Sequence, residues 1–183
     1  MHKSHLFPKI TLKKLCILSL MTAITAILSI YCTFRIGNAI KIPFKFVSVF
    51  FTAVMFGPFW GGIIAVLGDI LNVFLAPSGP WIPLITGIEF LNGAFFGIFF
   101  YKHSYETKNY FLRTLICCLI LFLIDMILTS LVLTYVGYFP TFASAIIVRF
   151  PAGVIKILIQ GIFIIISKGY IKSFKQMGGK DFE

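Results

Sequence analysis

Six apolar stretches fill most of this chain of 183 residues, at about 12–33, 44–56, 59–76, 84–101, 113–136 and 142–167. A water-soluble fold has nowhere to bury so much apolar length, whereas a bilayer core takes helices of about 20 apolar residues. Only 12% of the residues are charged, about half the share found in soluble domains. The sequence therefore predicts one all-α integral membrane domain over residues 1–183, a bundle of six transmembrane helices. The second and third stretches are short and meet at Gly57-Pro58. Such breaks and lengths point to tilted or partly buried helices around a cavity.

Orientation follows from the cations. All 16 Lys and Arg residues except Arg35, Lys41, Lys45, Arg149 and Lys156 fall in the N-terminal segment, around the 102–113 connection, or in the tail from Lys168. The positive-inside rule then puts both termini in the cytoplasm. The net charge of +10 is thereby spent on topology at helix ends and does not form a nucleic-acid surface. Arg35, Lys41 and Lys45 break the rule by lying outside, which an anionic ligand would explain.

Inside the membrane stretches stand three acids, Asp69, Glu89 and Asp125. An ionised group in hydrocarbon is costly, so such groups pair with one another or mark a binding site. Glu89, Asn92 and Gly93 share one helical face, expected to point inward. Arg149, Gly153, Lys156 and Gln160 recur at helical intervals as a single polar stripe, with Pro151 expected to kink the helix. Asp125 reads as the counter-ion of a helix cation. Asp69 and Asn72 lie on the helix that follows the Gly-Pro break. The loop PSGPWIP is stiff and sets Trp81 at the outer interface, as a belt residue or as a ring for stacking a ligand.

Catalysis has no foothold here. His2, His5 and His103 fall on the cytoplasmic edge, and no H-E-x-x-H, G-x-S-x-G or phosphate-binding Gly loop is present. Cys16, Cys32, Cys117 and Cys118 form no C-x-x-C pair and read as small apolar residues. No enzyme, metal or cofactor is expected. Uphill transport would draw on an ion gradient or on a partner.

The runs KIPFKFVSVFFTAVMFGPFWGGIIAVLGDIL and PSGPWIPLITGIEFLNGAFFGIFF resemble the substrate-binding S components of energy-coupling factor vitamin transporters. Within them they look most like the folate-transporter family, through the K-I-x-F, G-P-x-x-G and P-x-G-P-x-x-P signatures. That resemblance implies a multi-pass protein of a prokaryotic plasma membrane that binds folate near its outer face. It also implies docking on a transmembrane coupling protein with two ATPase subunits, and toppling in the membrane to release the vitamin inside. The docking pair it implies in the first helix is Ser19 and Ala23; Thr22 and Ala26 have the same small-x-x-x-small spacing. The implied binding residues are Arg35, Lys41, Phe44, Asp69, Asn72, Trp81, Glu89 and Arg149. Among them Arg35, Lys41 or Arg149 would hold carboxylates, Asp69, Asn72 or Glu89 the pteridine edge, and Phe44 or Trp81 the ring face. A pantothenate S component shares much of the pattern. A small proton-coupled secondary transporter, with Asp69, Glu89 and Asp125 as a relay, and a purely structural subunit are the readings from other classes.

Overall fold

The computed structural model describes residues 11–36, 40–76, 80–101 and 109–178, with side chains described for all of these except 34–36, 40–42 and 172–178. These residues form six helices: α1 (Leu12–Tyr31), α2 (Phe46–Phe56), α3 (Pro58–Leu75), α4 (Pro83–Phe100), α5 (Tyr110–Tyr135) and α6 (Phe142–Gly178). All but α2 are long and apolar enough to cross a membrane. The six expected helices are therefore present, each within a few residues of its expected start. Several expectations fall on residues outside the described set: the three histidines, Lys3, Lys9, Lys102, Lys108, Lys180 and the Pro77–Gly79 part of the outer loop. The side chains of Arg35, Lys41, Lys172 and Lys175 are likewise outside it.

Local chemistry explains the helix ends. Pro58 and Pro83 stand in the first turns of α3 and α4, where a missing N–H costs nothing and the fixed φ favours the helix. Gly57 has φ 97°, a backbone conformation that a Cβ penalises. It turns α2 directly into α3. Along α6 the helix continues through Pro151 and runs well past Ser167.

Two local features go beyond the sequence reading. Between α1 and α2 the chain forms an antiparallel hairpin, β1 (Thr33–Ile36) and β2 (Ile40–Pro43), with Arg35 opposite Lys41. The alternation of apolar and basic residues on either side of Gly37-Asn38 is the signal for it. In α5 the residues Asp125–Thr129 widen into a π-turn, a device often found at functional positions.

Small residues let the helices close up. A Cβ at Gly97 of α4 would strike the backbone of Pro58, and one at Gly93 would strike the carbonyl of Gly61. The α3 and α4 backbones thus touch directly, the close approach that glycines permit between membrane helices. At Gly68 a Cβ would meet Thr25 of α1. Around this seam the core is aromatic. Phe50, fully buried, meets Phe96, Phe100 and Phe163 edge-on at 5.5, 5.3 and 6.2 Å, geometry favoured by the ring quadrupoles. Leu119, Leu123, Ile127 and Leu131 of α5, with Ile147, Leu158 and Ile162 of α6, are exposed and present an apolar face to lipid.

Candidate functional site

With the N-terminus inside, α2, α4 and α6 start at the outer side and α3 and α5 end there. Lys45 precedes α2, Asp69 is two-thirds of the way along α3, Glu89 in the second turn of α4, and Asp125 just past the middle of α5. Arg149 and Lys156 occupy the first half of α6. All the intramembrane charges therefore converge on one level of the outer half. They assemble into two clusters.

In the first cluster the Lys45 ammonium lies 3.0 Å from Glu89 Oε1 and 3.3 Å from Asp69 Oδ1. Asp69 accepts a second bond on Oδ2 from the Thr86 hydroxyl at 2.8 Å. That hydroxyl in turn accepts from the Trp81 indole N–H at 3.0 Å. Trp81 is 53% exposed, so an outer-loop ring is wired through Thr86 and Asp69 to a buried lysine. One cation against two acids leaves this cluster at −1.

The second cluster has the opposite sign. Asp125 Oδ2 is 3.2 Å from Lys156 and 3.7 Å from Arg149, and Asp125 Oδ1 accepts from Thr129 at 3.2 Å. Arg149 also donates to Ser130 Oγ and to the Asp125 carbonyl, both at 3.4 Å. Asp125 is the counter-ion the sequence suggested. Two cations against one acid leave this cluster at +1, so the two balance across the space between them.

That space is a cavity. Its polar lining is Lys45, Glu89, Asn92, Asp125, Lys156 and Gln160; Phe46, Phe96 and Phe122 line it with rings, and Gly153 gives it room. The void is small, about 40 Å³, enough for a few waters but far below the 300–1,000 Å³ or so of a typical small-molecule pocket.

Among the sequence-predicted binding residues, Glu89 reaches the cavity. Asp69 and Trp81 connect to it through Lys45 and Thr86, and Arg149 through Asp125. Asn72 instead donates across to Ser29 of α1 and knits two helices together. Phe44 is half-buried against Phe46, with ring centroids 5.9 Å apart. Arg35 and Lys41 are placed opposite each other on the hairpin by backbone register alone. The docking pair Ser19 and Ala23 lies on the exposed face of α1, beside exposed Leu15, Leu20 and Ile27, whereas Ala26 of the alternative pair is buried.

Sequence reasoning underrated four cavity residues: Lys45, Asn92, Lys156 and Gln160. Lys45 counted only as an outer cation, because nothing local indicates that it turns inward. For Asn92, Lys156 and Gln160 the signal was visible, in the Glu89–Asn92–Gly93 face and the α6 stripe.

Comparison with known proteins puts these residues in context. The family model for "ECF transporter, substrate-specific component" matches residues 13–167. A folate transporter FolT of Clostridium novyi (strain NT) is 33% identical over 70 residues, 38% of this chain and 41% of that protein. FolT of Leuconostoc mesenteroides subsp. mesenteroides is 22% identical over 103 residues, 56% of this chain and 54% of that protein. The chain thus spans only 41% and 54% of the lengths of these curated relatives. A crystal structure of FolT bound with folic acid superposes with a TM-score of 0.76 at 27% identity, covering 87% of this chain and 95% of that one. A second solved structure, of the S component of a bacterial ECF transporter, has a TM-score of 0.69 at 24% identity and covers 88% and 96%. At that identity the likeness concerns the fold.

Proposed function

Since the chain belongs to the substrate-specific components of ECF transporters, we propose that it captures folate at the outer side of the membrane. We further propose that it hands the vitamin inward when docked, through Ser19 and Ala23, on a coupling protein driven by two ATPase subunits. The observation that carries the cargo assignment is the cavity: oppositely charged walls, amides and phenyl rings, in a fold of which 87% overlays on folic acid-bound FolT. Folate combines a flat, donor-rich heterocycle with a dianionic glutamate tail, and such a molecule uses both walls.

Glu89 takes the pteridine edge in this reading. Asp69, Thr86 and Trp81 are positioning residues that hold Lys45 and, through it, Glu89. Arg149, with Lys156 beside it, faces the carboxylates, and Arg35 and Lys41 extend that positive side from the hairpin. A void of about 40 Å³ must widen several-fold to take a molecule of this size, so uptake into the site requires side chains and outer segments to move. The proton-relay alternative is less well supported, because Asp69, Glu89 and Asp125 each already hold a cation at 3.0–3.7 Å.

Fluorescence titration of the detergent-purified protein tests the reading. Trp60 and Trp81 are the two tryptophans, and Trp60→Phe isolates the one at the outer loop. Saturable quenching by folic acid, absent with pantothenate and riboflavin, is the expected result. A response to pantothenate or riboflavin alone replaces the cargo. A folded protein that ignores all three sinks the proposal. Uptake in cells that requires the coupling protein and ATPases, and survives an uncoupler, is the expected second half.

A further inference from the structure

Most polar groups around the cavity are engaged. Lys45 is held by Asp69 and Glu89, and Lys156 by Asp125. Two carboxamides stand apart from these pairs. Gln160 of α6 is only 6% exposed and lines the cavity, where its amide keeps some contact with the void. Asn92 of α4 lines the same cavity, and its Oδ1 is buried without a partner. Folded proteins satisfy nearly all buried polar atoms, because an orphaned one carries its full desolvation penalty. An orphaned amide oxygen on α4 and a second amide on α6, bordering one void of about 40 Å³, call for an occupant that bonds both.

We propose that Asn92 and Gln160 form a neutral pair that reads the lactam-and-amine edge of the ligand's heterocycle, and thereby set which heterocycle the cavity accepts. This rests on the folate reading and adds to it the residues that discriminate. A carboxamide offers an acceptor and two donors from one planar group. It therefore bonds in bidentate fashion to an edge where donors and acceptors alternate, as Asn and Gln do with adenine in DNA. A carboxylate such as Glu89 only accepts and an ammonium such as Lys156 only donates, so neither alone matches both the donors and the acceptor of a 2-amino-4-oxo edge. Phe46, Phe96 and Phe122, also in the lining, supply apolar surface for a flat ring held by the pair.

The test uses the full-length protein in detergent with the near-isosteric variants Asn92→Leu and Gln160→Met. Each is titrated with folic acid and with 2-desamino folic acid, and ligand-free thermal unfolding is measured alongside. Each variant should bind folic acid roughly 10- to 100-fold more weakly than wild type. The Asn92 or Gln160 variant that loses the contact to the 2-amino group should no longer prefer folic acid over the desamino analogue. Ligand-free unfolding should be unchanged or shifted upward, since an amide at the void, orphaned at Asn92, has been replaced by an apolar group. Wild type that binds folic acid tightly, with both variants within about threefold of it, overturns the proposal. Lower ligand-free stability with unchanged affinity assigns the amides to buried water and also overturns it. Failure of folded wild type to bind folic acid refutes the folate reading itself, and this subsite with it.

Discussion

Replacing Lys45 by Met is the most informative single perturbation of this protein. Lys45 is 7% exposed, with carboxylate oxygens at 3.0 and 3.3 Å. At an effective dielectric constant of about 20, each contact supplies roughly 5 kcal/mol of attraction. Desolvating three charges offsets much of that. Removing one partner of a buried ion pair therefore costs about 3–5 kcal/mol, because the other partner is left uncompensated. Here two acids are left, which places the cost at the upper end. In a protein of this length 1 kcal/mol moves the melting temperature by about 2–4 °C, so Lys45→Met should unfold roughly 6–20 °C lower. Thermal unfolding of the ligand-free, detergent-purified protein, followed by size-exclusion chromatography, reads this directly. The triple variant Lys45→Met, Asp69→Asn, Glu89→Gln leaves no unpaired charge and should recover most of the loss. If Lys45→Met melts within about 2 °C of wild type, the contacts act like surface ion pairs of little worth and the reasoning is wrong. A triple variant no better than the single one refutes it equally.

Other perturbations probe the remaining parts. Asp125→Asn leaves Arg149 and Lys156 facing each other without a carboxylate, so it should destabilise by about 3–5 kcal/mol; Lys156→Met should cost less, because Arg149 at 3.7 Å still neutralises Asp125. Gly97→Leu drives a side chain into the Pro58 backbone and should abolish monodisperse protein on size exclusion, whereas Gly87→Ala, with open space around it, should behave as wild type. Ser19→Leu with Ala23→Leu should leave folate binding intact and abolish uptake by the reconstituted transporter. Ala26→Leu, at a position 5% exposed, should instead lower thermal stability; equal effects of the two α1 changes on binding would remove the docking assignment.

Helix number and order were legible in this sequence because a bilayer imposes one length scale and one backbone solution on every apolar stretch. The inward faces of α4 and α6 were legible for a related reason. On a helix whose other sides must meet lipid or apolar neighbours, Glu89, Asn92 and Gly93, or Gly153, Lys156 and Gln160, have one place to go. Partner choice was not legible. Lys45 sits one residue before α2, and its direction depends on a hairpin whose strands are four residues each, too short for periodicity to dominate. Asn72 shows the converse failure: it lies three residues after Asp69, on nearly the same face, yet the close approach of α1 at Gly68 gives it Ser29 as a partner. Spacing along one helix ranks residues by direction, while the neighbouring backbone decides what they meet.

The charge arithmetic has the same character, and it bears on function. The sequence supplies three intramembrane acids and, with Lys45, three cations, which could pair one to one and leave a merely structural set. The fold pairs them two to one and one to two, so that α3 and α4 carry a surplus acid and α6 a surplus cation on opposite sides of one cavity. An uneven division of a neutral set sustains a field across the void while holding each charge against a partner, so the protein avoids an isolated ion in hydrocarbon. A ligand with a donor-rich ring at one end and carboxylates at the other lies along that field in one orientation and against it in the other. Reversing the division, with Glu89→Lys and Lys156→Glu together, keeps the total at zero and should still lose folate binding, whereas a site that needed only neutrality would retain it.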